Sequence, residues 1–170
     1  IGYPGGPIIE TRSKKGNEER FDFPKPMYDS TFNMSFSGLK TAVKRETENL
    51  IKKQGGLYQK DINDICASFQ KTATEIFKLK TKNAIKFFNE KYQNHKSLAV
   101  VGGVAANEKI KTELNQIAIE NRFNFFTVPA KYCTDNAAMI AFLGFEKYLT
   151  SNFNSTDLTI KPRWPLDKIS

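Results

Sequence analysis

The sequence predicts an α/β fold in which a partly parallel sheet is flanked by helices. Three observations carry that reading. The run SLAVVGGVAAN at 97–107 is largely apolar up to Gly102-Gly103 and then turns helix-forming, as a buried strand does when it delivers a ligand to a helix. A strand at 98–101, a helix with Ile110, Leu114, Ile117 and Ala118 on one face, and a strand at 123–128 follow in order, and strand, helix, strand is the crossover unit of a parallel sheet. A long amphipathic helix precedes them.

The elements follow along the chain. Pro4, Pro7, Pro24 and Pro26, with Gly2, Gly5, Gly6 and Gly16, leave room in 1–35 for one short helix near 8–15 and a short strand at Phe21-Asp22-Phe23. Ser35-Phe36-Ser37-Gly38 leads into a helix over 39–53, where Leu39, Ala42, Val43 and Leu50 recur at helical spacing until Gly55-Gly56 stops it. A helix over 61–92 sets Ile62, Ile65, Cys66, Phe69, Ala73, Ile76 and Phe77 on one stripe, with Asp61 as its N-cap. Pro129 ends the second strand, a loop at 133–136 follows, and the helix over 137–149 is apolar on nearly all sides, which reads as a central buried helix. The resulting division is a loop-rich and helical segment at 1–60, an α/β core at 61–150, and an extended tail at 151–170 with Trp164 docked or exposed.

At 170 residues the chain can bury about two-thirds of its unfolded surface, enough for one substantial core. Its 26 Lys and Arg against 18 Asp and Glu, a net +8, favour a polyanionic partner such as nucleic acid. Cys66 and Cys133 stand far apart in no paired motif, so neither a disulfide framework nor a thiolate metal site is indicated, which fits a cytoplasmic setting. No apolar stretch approaches the roughly 20 residues that cross a bilayer, so no membrane partner is expected. The chain opens at Ile1 directly into Gly-Tyr-Pro-Gly-Gly-Pro, which reads as the interior of something longer.

Each candidate site has a plain structural reading beside the functional one. Gly102 and Gly103 make either a tight strand-to-helix turn or an adenine and ribose cradle. Asn107 caps the next helix or reads a ligand carbonyl or hydroxyl. Asp135 caps a helix N-terminus or donates to a metal. The 2–7 segment is a rigid linker or a nest of amides, and Glu10 beyond it is an exposed helix-end acid or an acceptor for ribose hydroxyls. His95, the only imidazole, lies in a polar loop and reads as solvated; with no HExxH, a self-contained zinc peptidase site is not encoded. Phe87-Phe88 and the phenylalanines of 123–126 read as packing groups rather than base-stacking platforms.

Taken together, GYPGGP at 2–7, FDFPKPM at 21–27, SFSGLKTAV at 35–43, VVGGVAAN at 100–107, CTDNAAMIA at 133–141 and PRWPL at 162–166 resemble the tRNA threonylcarbamoyladenosine transferase family, formerly called O-sialoglycoprotein endopeptidase or glycoprotease. The resemblance runs from end to end and looks like the C-terminal half of such a protein. It implies one lobe of an actin-like, sugar-kinase and heat-shock-type ATPase fold, with nucleotide held between two lobes. It also implies transfer of a threonylcarbamoyl group from threonylcarbamoyl-adenylate to the adenosine next to the anticodon, assisted by one metal, iron or zinc, that polarises the carbonyl. Carried onto this sequence, Gly6 and Asn107 match adenylate contacts, Glu10 a ribose-side position, Gly102 and Gly103 the adenosine loop, and Asp135 the metal-binding aspartate.

The family's two metal-binding histidines, spaced HxxxH, belong to its N-terminal half, so the resemblance implies that this chain alone is catalytically silent. No catalytic base offers itself here. tRNA and auxiliary proteins of the pathway are the implied partners, and a homodimer or heteromer is compatible with the sequence. Two other classes compete: a non-catalytic nucleotide- or RNA-binding module, and a metallopeptidase, which lacks a nucleophile or zinc signature here.

Overall fold

The computed structural model describes residues 1–92, 94 and 96–151. His95, Trp164 and the tail from 152 onward lie outside the described residues. The order is α1 (Gly5–Ser13), α2 (Ser37–Gln54), α3 (Gln59–Lys91), β1 (Ser97–Val100), α4 (Glu108–Glu120), β2 (Asn124–Thr127) and α5 (Ala137–Leu149), with short 3-10 turns at Gly103–Ala106 and Ala130–Tyr132. β1 and β2 pair in parallel, Leu98 opposite Phe125 and Val100 opposite Thr127, with α4 as the crossover between them. The fold is α/β with a small parallel sheet flanked by helices.

The long helix α3 is the spine. At 33 residues it runs about 50 Å, and its two halves serve two cores. The first gathers Ile65 and Ala73 of α3 with Leu39, Ala42 and Leu50 of α2 and with Phe23. The second gathers Ile85 of α3 with Ile110, Leu114, Ile117 and Ala118 of α4 and Phe123. The 3.6-residue apolar period of α4 is met in full, since all four residues that define its stripe are buried. α2 ends where Gly55 takes a left-handed φ of 78° and donates its amide to the Ile51 carbonyl.

Several details depart from the sequence reading. α1 begins within the glycine run, so Gly5, Gly6 and Pro7 form its first turn, where a missing proline N–H costs nothing. α3 is capped at Tyr58, and Asp61 sits in its first turn, where Oδ2 accepts from the Tyr58 amide at 3.1 Å. Residues 21–23 are not a strand, because the Phe21 amide goes to the Ser68 hydroxyl of α3 at 3.2 Å instead of to a ladder partner. The strands are half-buried on one face only: Leu98, Val100 and Phe125 pack inward, whereas Ala99 and Phe126 are exposed.

The described chain divides into two compact units, Ile1–Thr134 and a second beginning at Asp135. In the second, Asn136 caps α5 by accepting from the Met139 amide at 3.1 Å. No α5 side chain is buried, in contrast to the central buried helix that its composition predicts. Among the described residues of this unit α5 is the one helix, and no second layer is described against which its apolar face could be buried.

Candidate functional site

A strand-to-helix turn builds the first wall of the site. After β1, Gly102 adopts φ 90° and ψ 173°, a conformation essentially reserved for glycine, and the chain then enters the 3-10 turn Gly103–Ala106. Asn107 closes the turn and opens α4. Its Oδ1 accepts from the Ile110 amide at 3.1 Å, the N-cap bond, while its Nδ2 donates to Gln70 Oε1 of α3 at 2.9 Å. Both ends of the amide are thus oriented by the protein.

α1 supplies the facing wall. Glu10 Oε1 accepts from the backbone amide of Glu108, the first residue of α4, at 2.9 Å, across 98 positions of sequence. A carboxylate at a helix N-terminus is favoured by the dipole, and it retains acceptor capacity for a hydroxyl. Between these walls lies a cleft of about 680 Å³ lined by Gly6, Ile9, Glu10, Gly103, Val104 and Asn107, and floored by Phe69, Gln70, Ala73 and Phe77 of α3. An ideal Cβ built on Gly6 or Gly103 would meet no atom within 4 Å.

The chemistry of this cleft favours a nucleoside over a phosphate. Two of the first amides of α4, at Glu108 and Ile110, are already taken by Glu10 and Asn107, so the helix end does not present them to an anion. The lining pairs apolar rings and methyls with a carboxylate and two oriented amides, which suits a flat heterocycle with polar edges and a hydroxylated sugar. Other openings are less suitable: a cleft of about 500 Å³ between α1 and the start of α3 is lined by Thr11, Arg12, Lys15, Gln59 and Asn63 and includes none of the candidate residues.

Of the residues singled out by sequence, Gly6, Glu10, Gly103 and Asn107 converge on this one cleft. Gly102 does not line it and instead supplies the turn that aims Gly103. Asp135 lies in the second unit, and the helix-cap reading for it gives way because the neighbouring Asn136 provides the capping oxygen. Among the described residues no group of three His, Cys, Asp or Glu side chains is placed to hold a metal ion. Gln70, Phe36 and Phe77 were not foreseen. Gln70 is buried beside the apolar stripe of α3, and a polar residue at such a position is the signal that could have found it.

Comparison with known proteins gives one consistent result. The family model TsaD, tRNA N6-adenosine threonylcarbamoyltransferase, matches residues 1–142. A protein of that name from Ruegeria sp. is 44% identical over 168 residues, covering 98% of this chain and 46% of the relative. Those from Cereibacter sphaeroides and Paracoccus denitrificans are each 42% identical over 166 residues, covering 97% of this chain and 46% and 45% of the relatives. The chain therefore spans about half the length of the curated relatives it matches. With an α/β lobe whose small parallel sheet is flanked by helices, a family model matching residues 1–142 and relatives at 42–44% identity in agreement, the chain belongs to the TsaD family of tRNA N6-adenosine threonylcarbamoyltransferases.

Proposed function

We propose that this chain forms the wall of an adenylate-binding cleft, within a protein that transfers a threonylcarbamoyl group from threonylcarbamoyl-adenylate to the adenosine beside the anticodon of tRNA. The observation that carries it is the convergence of Gly6 and Glu10 with Gly103 and Asn107, about a hundred residues later, on one cleft. In this reading the Phe69, Ala73 and Phe77 floor takes the adenine, Glu10 accepts from ribose hydroxyls and Asn107 reads an adenylate edge. Binding the leaving nucleotide in a fixed orientation supplies much of the rate gain, because the mixed anhydride is already activated. The tRNA amine attacks the carbamoyl carbon, the bond from that carbon to the phosphate oxygen breaks, the amine proton passes to solvent, and adenylate departs into the groups that already hold it.

Asp135 is the one residue proposed as a metal ligand. A single carboxylate is not a donor set, and among the described residues no other His, Cys, Asp or Glu joins Asp135 in a group of three. tRNA and auxiliary proteins are the proposed partners, the net +8 supports backbone contacts, and a cytoplasmic setting goes with them. No helix among the described residues is long and apolar enough to cross a membrane. The test uses the full-length protein with threonylcarbamoyl-adenylate and tRNA. Glu10→Ala and Asn107→Ala are expected to weaken adenylate binding and slow transfer. Unchanged adenylate affinity in both variants removes the assignment.

A further inference from the structure

Lys80 is buried midway along α3, and its hydrogen bonds go to a loop some fifty residues earlier. The ammonium donates to Asp29 Oδ1 at 2.7 Å and to the Thr31 carbonyl at 2.9 Å, and Asn83, one turn on, donates to the Asp29 carbonyl at 2.9 Å. A desolvated ammonium is tolerated only when such bonds replace water, so the loop around residues 28–32 is fixed to α3. Yet that same loop turns its large rings outward. Tyr28 is 52% and Phe32 51% exposed. A segment that is anchored and still displays apolar rings pays little ordering cost when something binds to it.

The rings do not stand alone. Phe32 sets its edge against Phe87 of α3, with centroids 5.2 Å apart, and Phe87 is itself 40% exposed. The Lys91 ammonium lies 4.4 Å from the Phe87 centroid. Lys82 and Lys86 lie on a different face of α3, beside Glu90 and Glu120, so the cation at the rings is Lys91. Lys80 is neutralised by Asp29, whereas none of the ion pairs among the described residues involves Lys91. Half-exposed rings beside an ammonium that no carboxylate pairs are elements with which proteins hold single-stranded nucleic acid: bases stack on the rings and a phosphate neutralises Lys91.

We propose that Tyr28 and Phe32 of the clamped loop, with Phe87 and Lys91 of α3, form a contact surface for an unpaired segment of the RNA acceptor, outside the adenylate cleft. The identification of that RNA as tRNA rests on the function proposed above; the surface does not. In the full-length enzyme, Phe32→Ala and Phe87→Ala each weaken tRNA binding about tenfold, whereas Phe32→Tyr, which keeps the ring, restores it. Lys91→Met lowers the slope of log affinity against log salt by about 0.7. Adenylate affinity stays at the wild-type value in all of them, because none of these residues lines the cleft.

An unstructured RNA oligonucleotide is the second probe. Its weakened binding to Phe32→Ala supports the surface even if the wild-type protein performs no threonylcarbamoyl transfer, which separates the two claims. Wild-type affinity of the variants for both RNAs overturns the proposal. So does loss of a co-assembled protein subunit while RNA binding is intact.

Discussion

A methyl group placed on Gly6 or Gly103 separates the demands of folding from those of ligand binding. Neither residue lies at positive φ, and a Cβ on either meets nothing within 4 Å, so the folded protein has room for alanine at both. Replacing glycine at such a compatible position stabilises by about 0.4–1 kcal/mol through the unfolded chain, which raises Tm by about 1–4 °C for a chain of this size. The same methyl enters the cleft that both residues line, and overfilling a fitted site costs about 1–3 kcal/mol, tenfold or more in affinity. The assay is thermal unfolding paired with calorimetric titration of a non-hydrolysable adenylate analogue into the full-length protein. Gly5→Ala is the control: its Cβ also meets open space, but it does not line the cleft, so its affinity stays unchanged. Gly102→Ala should behave in the opposite way, losing about 1–3 kcal/mol of stability because φ 90° and ψ 173° strain any residue with a Cβ. A lower Tm in Gly6→Ala and Gly103→Ala, or wild-type adenylate affinity in both, refutes the reasoning.

Asn107→Asp keeps the capping oxygen but loses the donor to Gln70, so it should retain most of the stability that Asn107→Ala loses, about 1 kcal/mol, while weakening adenylate binding as alanine does; equal stability of the two variants in urea would count against the cap. Gly16→Ala would put a Cβ 2.1 Å from the Asn63 carbonyl oxygen of α3, so urea unfolding should show a loss of at least about 1–3 kcal/mol, and a neutral result would mean the 16–17 loop does not sit there. Acid should unfold the protein through Asp64 and Asp29. Burial opposes ionisation of Asp64, but Lys60, the Asn17 amide and Arg20 outweigh it and bring the carboxyl to about 2, and Lys80 with Thr31 brings Asp29 to about 2. Both values lie below the ordinary 3.8, so the stabilisation is complete above about pH 4 and is lost as pH falls towards 2. The urea midpoint should drop between pH 5 and pH 2, and less steeply in Asp64→Asn; a wild-type midpoint that holds constant contradicts the linkage.

The sequence alone determined the order of the helices, the parallel strand pair and the α4 face, because side-chain period and glycine or proline breaks act within a few residues of one another. Ile110, Leu114, Ile117 and Ala118 needed no partner to declare themselves a buried stripe. The family followed from six short motifs in order, which no single one of them could establish. Tertiary structure decided what local pattern leaves open. Phe87 and Phe88 are adjacent in sequence, yet Phe88 packs against Phe123 in the second core while Phe87 stays exposed beside Phe32, since neighbours on a helix point about 100° apart and only the packing of α4 selects which one is covered. Phe21 and Phe23 alternate like a strand, but the Phe21 amide bonds to Ser68 of α3, a partner 47 residues away. The cleft itself is of the same kind: Glu10 meets the amide of Glu108 only because α1 and α4 both pack on α3. Spacing along the chain carries local geometry, but a contact across 98 positions depends on which surfaces bury each other, and that is settled only when the whole chain folds.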